Sequence, residues 1–582
     1  MTRLSRTVLV ALAATSAATA AAAVPATAAD EATAGTLQEV QVLAVNDFHG
    51  NLEPVPASSS SGRINQTPAG GAEYLATHLR SLRARAAERG AESVTVAAGD
   101  LIGASPLLSA AFHDEPTVEA LNTMGLDVAS VGNHEFDEGW NELLRMQHGG
   151  CLPDGDGRDN QNSCPDPDAP FPGADFQYLA ANVHRTDTGD TLLPAVEVRE
   201  YDGVKVGFIG MTLEDTPNIV TASGVEGLEF TDEVRTANRL VPRLQRQGVR
   251  SIVVLLHEGG FPADPSAYDS CPGISGPAVE INQGLAPEID AVISGHTHQG
   301  YNCTLADPEG RPRLLTSASS YGRLVTEVRL AVNGRSGDVV RERTTATNHV
   351  VTRDVERDAT VGELIAKYRT LVAPIAGEVI GHLTSESVTR APDDSGESAL
   401  GNLIADAQRT DPTLVVDGQQ VDVAFMNPGG IRADLTSDPD RAGNPVTYGA
   451  AFSVQPFNNY DVSMDLTGQQ IMELLEQQWS GANAGSPRVL QVSGIEYTYR
   501  EAAPAGAKVD PASVRIGGAP LDPTATYRVA ANSFLAGGGD GFSVFEEATD
   551  RHFGGLDIDA LARYLRAHDP YTAAPRDRID VR

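Results

Sequence analysis

Five short clusters of polar residues carry the side chains best suited to chemistry in this 582-residue sequence. Each cluster follows a short apolar or β-branched run and combines imidazole, carboxylate or amide groups. Imidazoles with carboxylate and amide oxygens form a ligand set that suits Zn, Mn or a similar divalent ion, and no thiolate is among them. The candidate metal ligands are Asp47, His49, Asp100, Asn133, His257, His296 and His298.

The number of candidate ligands predicts two divalent metal ions. Such a set is too large for one tetrahedral ion, but it suits two ions that share a carboxylate. Each residue alone has an ordinary explanation, since a lone His is often a satisfied core or surface residue and an Asp after Gly often lies in a turn. That explanation would have to apply independently to every cluster, so their joint occurrence favours a binuclear site.

The apolar runs before the clusters predict buried strands, which would position these ligands. Open α/β sheets place ligands at the carboxyl ends of their strands, so the clusters are expected at one such edge. The predicted strands span residues 40–45, 93–98, 128–131, 251–256 and 291–294.

Helical patterns alternate with these strands. Residues 72–89 are amphipathic and stop at Gly90, and residues 115–124 have Pro116 near their start and Gly125 after their end. Strands that alternate with helices predict an α/β domain over residues 36–345.

A second domain is predicted after the first. Residues 357–372 have helical periodicity, which predicts a connecting helix within residues 350–375. Residues 376–582 then form the C-terminal domain.

The formal net charge of −35 limits the partners. An acidic surface repels polyanions, so no long nucleic acid is expected, although a small anion can still bind over a metal cluster.

The N-terminus is typical of a Sec-type signal peptide over residues 1–28. Arg3 and Arg6 precede an Ala-rich apolar stretch, and Ala26-Thr27-Ala28 fits the small-x-small cleavage rule. A membrane anchor is the alternative, but no later stretch approaches the ~20 apolar residues that span a bilayer, and the polar C-terminus carries no anchor signal. We therefore expect a secreted, extracellular protein without a membrane anchor.

The four cysteines fit export to an oxidising compartment. Pairing of Cys151 with Cys164 and of Cys271 with Cys303 is preferred among the three possible connectivities. Zinc binding is the alternative, but no pair has the close spacing of a structural zinc site.

The polar clusters also resemble a known family. Asp47-x-His49, Gly99-Asp100, Gly132-Asn-His-Glu135, His257 and Gly295-His-x-His298 occur in the order of the calcineurin-like metallophosphoesterases. The segments Asn-Asp-Phe-His-Gly and Gly-Asn-His-Glu-Phe-Asp are similar to the signature of the 5′-nucleotidase branch. The resemblance implies an α/β fold, with an N-terminal metallophosphoesterase sandwich of mixed sheets flanked by helices. A helix would join it to a smaller α+β C-terminal 5′-nucleotidase domain.

The resemblance also implies residue roles. One ion would bind Asp47, His49, Asp100 and His298, and the other Asp100, Asn133, His257 and His296, with Asp100 as the bridge. His134 would face the substrate and be oriented by Asp137. Three residues apart on a helical turn, these two side chains share a face, and a carboxylate partner favours the cationic imidazole.

In the second domain, Arg432 could grip a phosphate, Phe457 and Phe534 could stack on a base, and Asp540 could accept hydrogen bonds from a ribose diol. Taken singly, each Phe is better explained as a core residue, and the Gly-flanked Asp as part of a turn. Segments around Asn427 and these four residues resemble the substrate-binding segments of 5′-nucleotidases, in which this domain presents the nucleotide to the metals and rotates.

The resulting hypothesis is a 5′-nucleotidase that hydrolyses nucleoside monophosphates by in-line attack of a metal-bridging hydroxide. Gly396 stands where several relatives have a phosphate-binding Arg. The loss of that cation would either lower the affinity for monophosphates or favour a less charged substrate, such as a cyclic nucleotide or another diester. The alternatives on the same scaffold are a 2′,3′-cyclic nucleotide phosphodiesterase, a nucleotide-sugar hydrolase or a nuclease-type diesterase. A non-catalytic binding or adhesion protein is the alternative from another class.

Overall fold

The computed structural model describes residues 36–57, 59–154, 162–166, 168–416 and 418–582. The predicted signal peptide, residues 1–28, lies outside these residues. Among the described residues, no helix has both the length and the apolar character needed to cross a membrane.

The N-terminal part is built on two mixed β-sheets. Their strand orders are β16-β15-β1-β4-β5-β6 and β13-β14-β12-β11-β9-β8. The strands are β1 (Leu37–Val45), β2 (Arg63–Ile64), β3 (Thr67–Pro68), β4 (Glu92–Ala98), β5 (Val128–Ser130), β6 (Gln177–Leu179), β7 (Val183–Arg185), β8 (Val196–Tyr201), β9 (Val204–Thr212), β10 (Leu228–Phe230), β11 (Ser251–His257), β12 (Ala291–Ser294), β13 (Gly300–Ala306), β14 (Pro312–Ala318), β15 (Leu324–Asn333) and β16 (Thr345–Val350). The helices are α1 (Ala72–Glu88), α2 (Leu107–Ala110), α3 (Glu115–Met124), α4 (Trp140–His148), α5 (Glu233–Arg246), α6 (Pro277–Gly284) and α7 (Ala359–Ala376).

The two sheets pack face to face. Val42 and Val94 of the first sheet share one buried apolar cluster with Phe208 and Val253 of the second. Helices α5 and α6 cover the outer face of the second sheet, and α1, α3 and α7 cover that of the first. Removal of this apolar surface from water is the main force that holds the sandwich together.

Parallel pairing at the centre of each sheet fixes where the polar clusters lie. β1, β4 and β5 run parallel to one another, and so do β9, β11, β12 and β14. Their carboxyl ends, where the candidate ligands follow, therefore meet at one edge of the sandwich.

The C-terminal part contains a smaller α+β unit, whose main sheet has the order β23-β19-β27-β22-β28. Helix α7 lies between the two parts and packs against α3 on one side and α9 on the other. The remaining strands are β17 (Val379–His382), β18 (Ser387–Val388), β19 (Val423–Met426), β20 (Leu435–Thr436), β21 (Pro445–Thr447), β22 (Tyr460–Thr467), β23 (Gln491–Ser493), β24 (Ile495–Tyr499), β25 (Arg515–Ile516), β26 (Ala519–Pro520), β27 (Thr526–Asn532), β28 (Thr549–Leu556) and β29 (Ile579–Val581). The remaining helices are α8 (Ala399–Arg409), α9 (Tyr448–Phe452), α10 (Gly468–Gln477), α11 (Ser533–Ala536) and α12 (Asp557–Ala567).

The structure confirms the fold class and both preferred cysteine pairs, Cys151 with Cys164 and Cys271 with Cys303. The connecting helix, predicted from the periodicity of residues 357–372, begins slightly later in the structure and spans Ala359–Ala376. The side chain of Asp358 accepts hydrogen bonds from the backbone N–H groups of Thr360 and Val361, which makes Asp358 the N-cap and starts the helix after it.

Candidate metal centre

Strained backbone brings the candidate ligands together where the strands end. Asp47 and His49 follow β1, Asp100 follows β4, and His296 and His298 follow β12. All of these residues have positive φ, between 47° and 69°. This conformation is unfavourable for side chains larger than Gly, and such residues cluster where function requires a fixed geometry.

The first ligand group contains Asp47, His49 and His298. His49 Nδ1 lies 2.9 Å from the carbonyl oxygen of Gly103, which can only accept, so Nδ1 carries the proton. In the neutral ring, His49 Nε2 then presents a lone pair, and His298 Nε2 lies 3.1 Å from it. Asp47 Oδ1 lies 3.3 Å from His298 Nε2. Lone pairs from three side chains thus converge on a small volume.

The second ligand group contains Asp100, His257 and His296, with Asn133 between the two rings. His257 Nδ1 donates to the carbonyl oxygen of Ala98 at 2.8 Å, which leaves Nε2 as the inward-facing nitrogen. His257 Nε2 lies 3.0 Å from Asp100 Oδ2 and 3.2 Å from Asn133 Oδ1. His296 Nδ1 lies 3.1 Å from the same amide oxygen.

Asp100 joins the two groups. Its Oδ2 atom also lies 3.6 Å from His49 Nε2, and its Oδ1 accepts the backbone N–H of His134 at 3.0 Å. A buried set of imidazole nitrogens and oxygens with lone pairs facing one another lacks a positive partner, and a divalent cation in each group would supply it. The donor set therefore fits two ions that share Asp100.

The pKa values of His257 and His296 are consistent with a site that requires positive charge. Burial disfavours a charged ring on His257, yet Asp100 and Asp47 raise its pKa to about 10. In the metal-free protein a proton on His257 thus provides the positive charge that the acids require. Burial and the charge of His257 together lower the pKa of His296 to about 3, so that ring is neutral and can act as a ligand.

His134 and Asp137 lie beside the two groups on one short turn. His134 begins a 3₁₀ helix, and its Nδ1 lies 2.8 Å from Asp137 Oδ2. Burial opposes the charged ring, but Asp137 and Asp100 raise the pKa of His134 above its usual value. The ring centroids of His134 and His49 are 5.1 Å apart. The His134 ring also stacks on the Phe457 ring, with 5.7 Å between their centroids. His134 therefore stands between the metal centre and the C-terminal part.

The predicted substrate-binding residues lie in two separate groups. Arg432 lies over the Phe457 ring, 5.9 Å from its centroid, and so reaches the metal centre together with Phe457. Asn427 Nδ2 donates to Asp540 Oδ2 at 3.0 Å, which holds the acid in a left-handed turn with φ of 57°. Phe534 packs half-buried on the C-terminal core beside that turn.

The structure also accounts for Gly396. This residue has φ of 85°, and a Cβ atom there would lie 2.8 Å from the side chain of Val489. No side chain fits, so no cation can extend from this position.

The chain matches the calcineurin-like phosphoesterase model over residues 40–300 and the 5′-nucleotidase C-terminal domain model over residues 379–547. It belongs to the 5′-nucleotidase family. Its relatives include a cell wall protein of Listeria monocytogenes, 35% identical over 540 residues, and an endonuclease of Bacillus subtilis, 31% identical over 500 residues. These matches cover 89% and 85% of this chain, but the chain spans only 65% and 37% of the relatives' own lengths.

A crystal structure of a 5′-nucleotidase precursor from Thermus thermophilus is similar in fold to this family member. The sequences are 26% identical, the TM-score is 0.72, and the match covers 93% of this chain and 99% of the other. The two-part architecture therefore extends over nearly all of both chains.

Two residues that orient the candidate ligands of this 5′-nucleotidase-family chain were not evident from the sequence. Glu135 is buried and accepts the backbone N–H groups of Asp100 and Leu101 at 3.0 and 2.8 Å, and also that of Gly132. Asn46 donates from Nδ2 to Asp47 Oδ2 at 2.6 Å. Asn46 Nδ2 also donates to the carbonyl oxygen of Ser319 at 2.6 Å. The only sequence signal was their position inside the motifs, because Glu135 and Asn46 each reach a second loop that is distant in the sequence.

Replacement of Asp100 by Asn should lower metal occupancy, because both proposed ions lose a shared anionic ligand. We expect elemental analysis of the purified variant to give fewer than two divalent ions per chain. Asp137→Asn is the matched control, since Asp137 contacts His134 and no ligand group, and it should keep both ions. Equal metal content in the two variants would contradict the bridging role of Asp100.

Asp137 also predicts a pH effect. The family resemblance implies that a cationic His134 faces the substrate, so activity should fall as pH rises through the pKa of His134. In Asp137→Asn the carboxylate that raises this pKa is gone, and the alkaline limb of the kcat/KM profile should move to lower pH. An unchanged limb would show that the protonation of His134 does not control it.

Proposed function

We propose that this chain is a secreted 5′-nucleotidase that hydrolyses nucleoside monophosphates to nucleoside and phosphate. The observation that carries the proposal is the placement of two ligand groups around Asp100, with His134 and Arg432 at their border. This arrangement puts a cationic imidazole and a guanidinium next to a candidate binuclear centre. Phosphate ester hydrolysis needs positive charge at this place, because negative charge develops on the phosphoryl and leaving oxygens.

The proposal assigns metal binding and substrate binding to two domains, which a helix connects. Residues 36–345 form the metallophosphoesterase domain, residues 350–375 connect, and residues 376–582 form the substrate-binding domain. Two divalent ions, when bound by the seven ligands named above, would supply an activated water and neutralise phosphoryl charge.

Side chains of the protein would bind the substrate and donate hydrogen bonds to it. Nδ1 of His134 donates to Asp137, so Nε2–H is free to donate to a phosphoryl or leaving oxygen. Arg432 would bind the phosphate in a fork that Lys could not form. Phe457 would stack on the base, and Asp540 would accept a hydrogen bond from the ribose.

Secretion is supported by the N-terminal sequence pattern and by the two disulfides. One relative is also described as a cell wall protein. The signal-like residues would be removed on export, which mass spectrometry of the protein from culture medium can show.

A diesterase is the second candidate. It is favoured by Gly396, because no phosphate-binding cation can extend from this position, and by the relative described as an endonuclease. A panel of AMP, 2′,3′-cyclic AMP, UDP-glucose and bis-p-nitrophenyl phosphate, assayed after chelation and re-addition of single metals, separates the two functions. The highest kcat/KM on a diester would favour this candidate over the 5′-nucleotidase.

The 5′-nucleotidase proposal predicts metal-dependent hydrolysis of AMP that His134→Asn reduces about 10²–10⁴-fold in kcat, with metal content unchanged. The exposed His148, at the end of α4, gives the control variant His148→Asn, which should keep full activity. Phosphate release and elemental analysis on the same samples are the measurements. Full activity in His134→Asn would remove this residue from the mechanism.

Phe457→Ala should reduce kcat/KM for AMP by about 5–150-fold, which corresponds to the binding free energy of one stacked base. Hydrolysis of p-nitrophenyl phosphate, which has no base, should stay nearly unchanged. Phe553, which is 60% exposed on β28, provides the control Phe553→Ala. Equal losses on both substrates in Phe457→Ala would argue that the ring supports His134 and does not bind a base.

A further inference from the structure

Arg488 is a cation beside the proposed ribose site that the mechanism above does not use. Its Nε atom lies 3.5 Å from Asp540 Oδ1, and its Nη1 donates to Asn483 Oδ1 at 2.7 Å. Asn483 in turn donates from Nδ2 to the backbone carbonyl oxygen of Asp540 at 2.9 Å. These three residues form a closed ring, which fixes the guanidinium against Asp540.

Nε and Nη1 of this guanidinium face protein groups, whereas Nη2 faces none within the residues that the structure describes. An arginine carries five N–H donors in a planar fork. In the described part of the chain, the side-chain hydrogen bond of Arg488 goes from Nη1 to Asn483, and no protein acceptor lies on Nη2. The side chain is 33% exposed, so Nη2 can meet a ligand.

The charged groups follow one another from the metal centre into the C-terminal part. Arg432 lies near the centre, where burial and the Arg432 charge lower the pKa of His298. The turn that carries Arg432 also reaches Asp540, since a Cβ on Gly429 would lie 3.7 Å from Asp540 Oδ2. Arg488 lies on the opposite side of Asp540, at its Oδ1 atom. The order is therefore metal centre, Arg432, Asp540, Arg488.

This order matches the layout of a nucleotide with two phosphates. With the 5′-phosphate at the metal centre and the ribose at Asp540, as proposed above, the 2′ and 3′ oxygens would lie on the side of the sugar away from the centre, where Arg488 contacts Asp540. A second phosphate at this place would meet the positive charge of Arg488 directly. The two N–H groups of Nη2 can donate charge-assisted hydrogen bonds to phosphate oxygens.

We propose that Arg488 binds a phosphate on the ribose 2′ or 3′ oxygen, which makes nucleoside bisphosphates preferred substrates for 5′-phosphate removal. The inference rests on the proposed function, because it places the ribose at Asp540. In the reaction, water adds to the 5′ phosphorus, the bond to the 5′ oxygen breaks, and that oxygen takes a proton. The products are inorganic phosphate and a nucleoside 2′- or 3′-monophosphate.

The test compares AMP with adenosine 3′,5′-bisphosphate and adenosine 2′,5′-bisphosphate on the metal-loaded full chain, with products separated by chromatography. The wild type should show a KM about 10-fold or more lower for at least one bisphosphate and release its 5′-phosphate first. Arg488→Gln should raise the KM for that substrate about 10–150-fold, as expected for lost charge-assisted hydrogen bonds, and change AMP kinetics less than about 3-fold.

Two variants make the comparison selective. Arg500→Gln is the control, because Arg500 also pairs with an aspartate, Asp510, but is 63% exposed and away from the site. Arg488→Lys keeps a point charge and loses the planar fork, so it should recover only part of the bisphosphate preference. Thermal unfolding of each variant confirms that it is folded.

Each outcome decides a separate claim. Equal losses on AMP and on the bisphosphates in Arg488→Gln would mean that Arg488 only positions Asp540, and would overturn the inference. A wild type without bisphosphate preference would overturn it as well. A wild type that hydrolyses no nucleotide would overturn the proposed function. Calorimetric titration of the wild type and of Arg488→Gln with AMP and the bisphosphate would then still test the inference, because an equal affinity of both proteins for the bisphosphate would overturn it.

Discussion

The rest of the structure depends on the convergence of lone pairs around Asp100. Two buried carboxylates, an amide and four imidazoles face one another at the carboxyl ends of the parallel strands, and His134 and Arg432 stand only at their border. Burial of such groups without positive charge is costly. The fold tolerates the cost because the proposed ions, or in their absence a proton on His257, supply the missing charge.

The sandwich explains how the chain holds these groups in place. The two sheets share an apolar cluster, and their parallel central strands end at the same edge. Rigid strands carry the left-handed turns of Asp47, Asp100 and His296, which would otherwise relax to a lower-energy backbone. Glu135 and Asn46 then fix the loops to one another, so the ligands are oriented before an ion arrives.

Local sequence patterns predicted most of the elements that bear ligands. The strand predicted at residues 291–294 and the helix predicted at 115–124 have the observed bounds. Both rest on local signals, which are an apolar run for the strand, and Pro116 and Gly125 near the two ends of the helix. The face-to-face pairing of two mixed sheets was not evident from strand patterns and came from the family resemblance. Contacts such as Phe457 on His134, or Arg488 on Asp540, join residues far apart in the sequence. No local pattern encodes them, since they depend on how the two parts of the chain pack.

The central claim is that Asp100 bridges two ions, and anomalous diffraction from crystals of the metal-loaded protein tests it most directly. The account predicts two anomalous peaks, one among Asp47, His49 and His298 and the other among Asn133, His257 and His296, with the Asp100 carboxylate bound to both. A single peak, or two peaks that do not share Asp100, would contradict it.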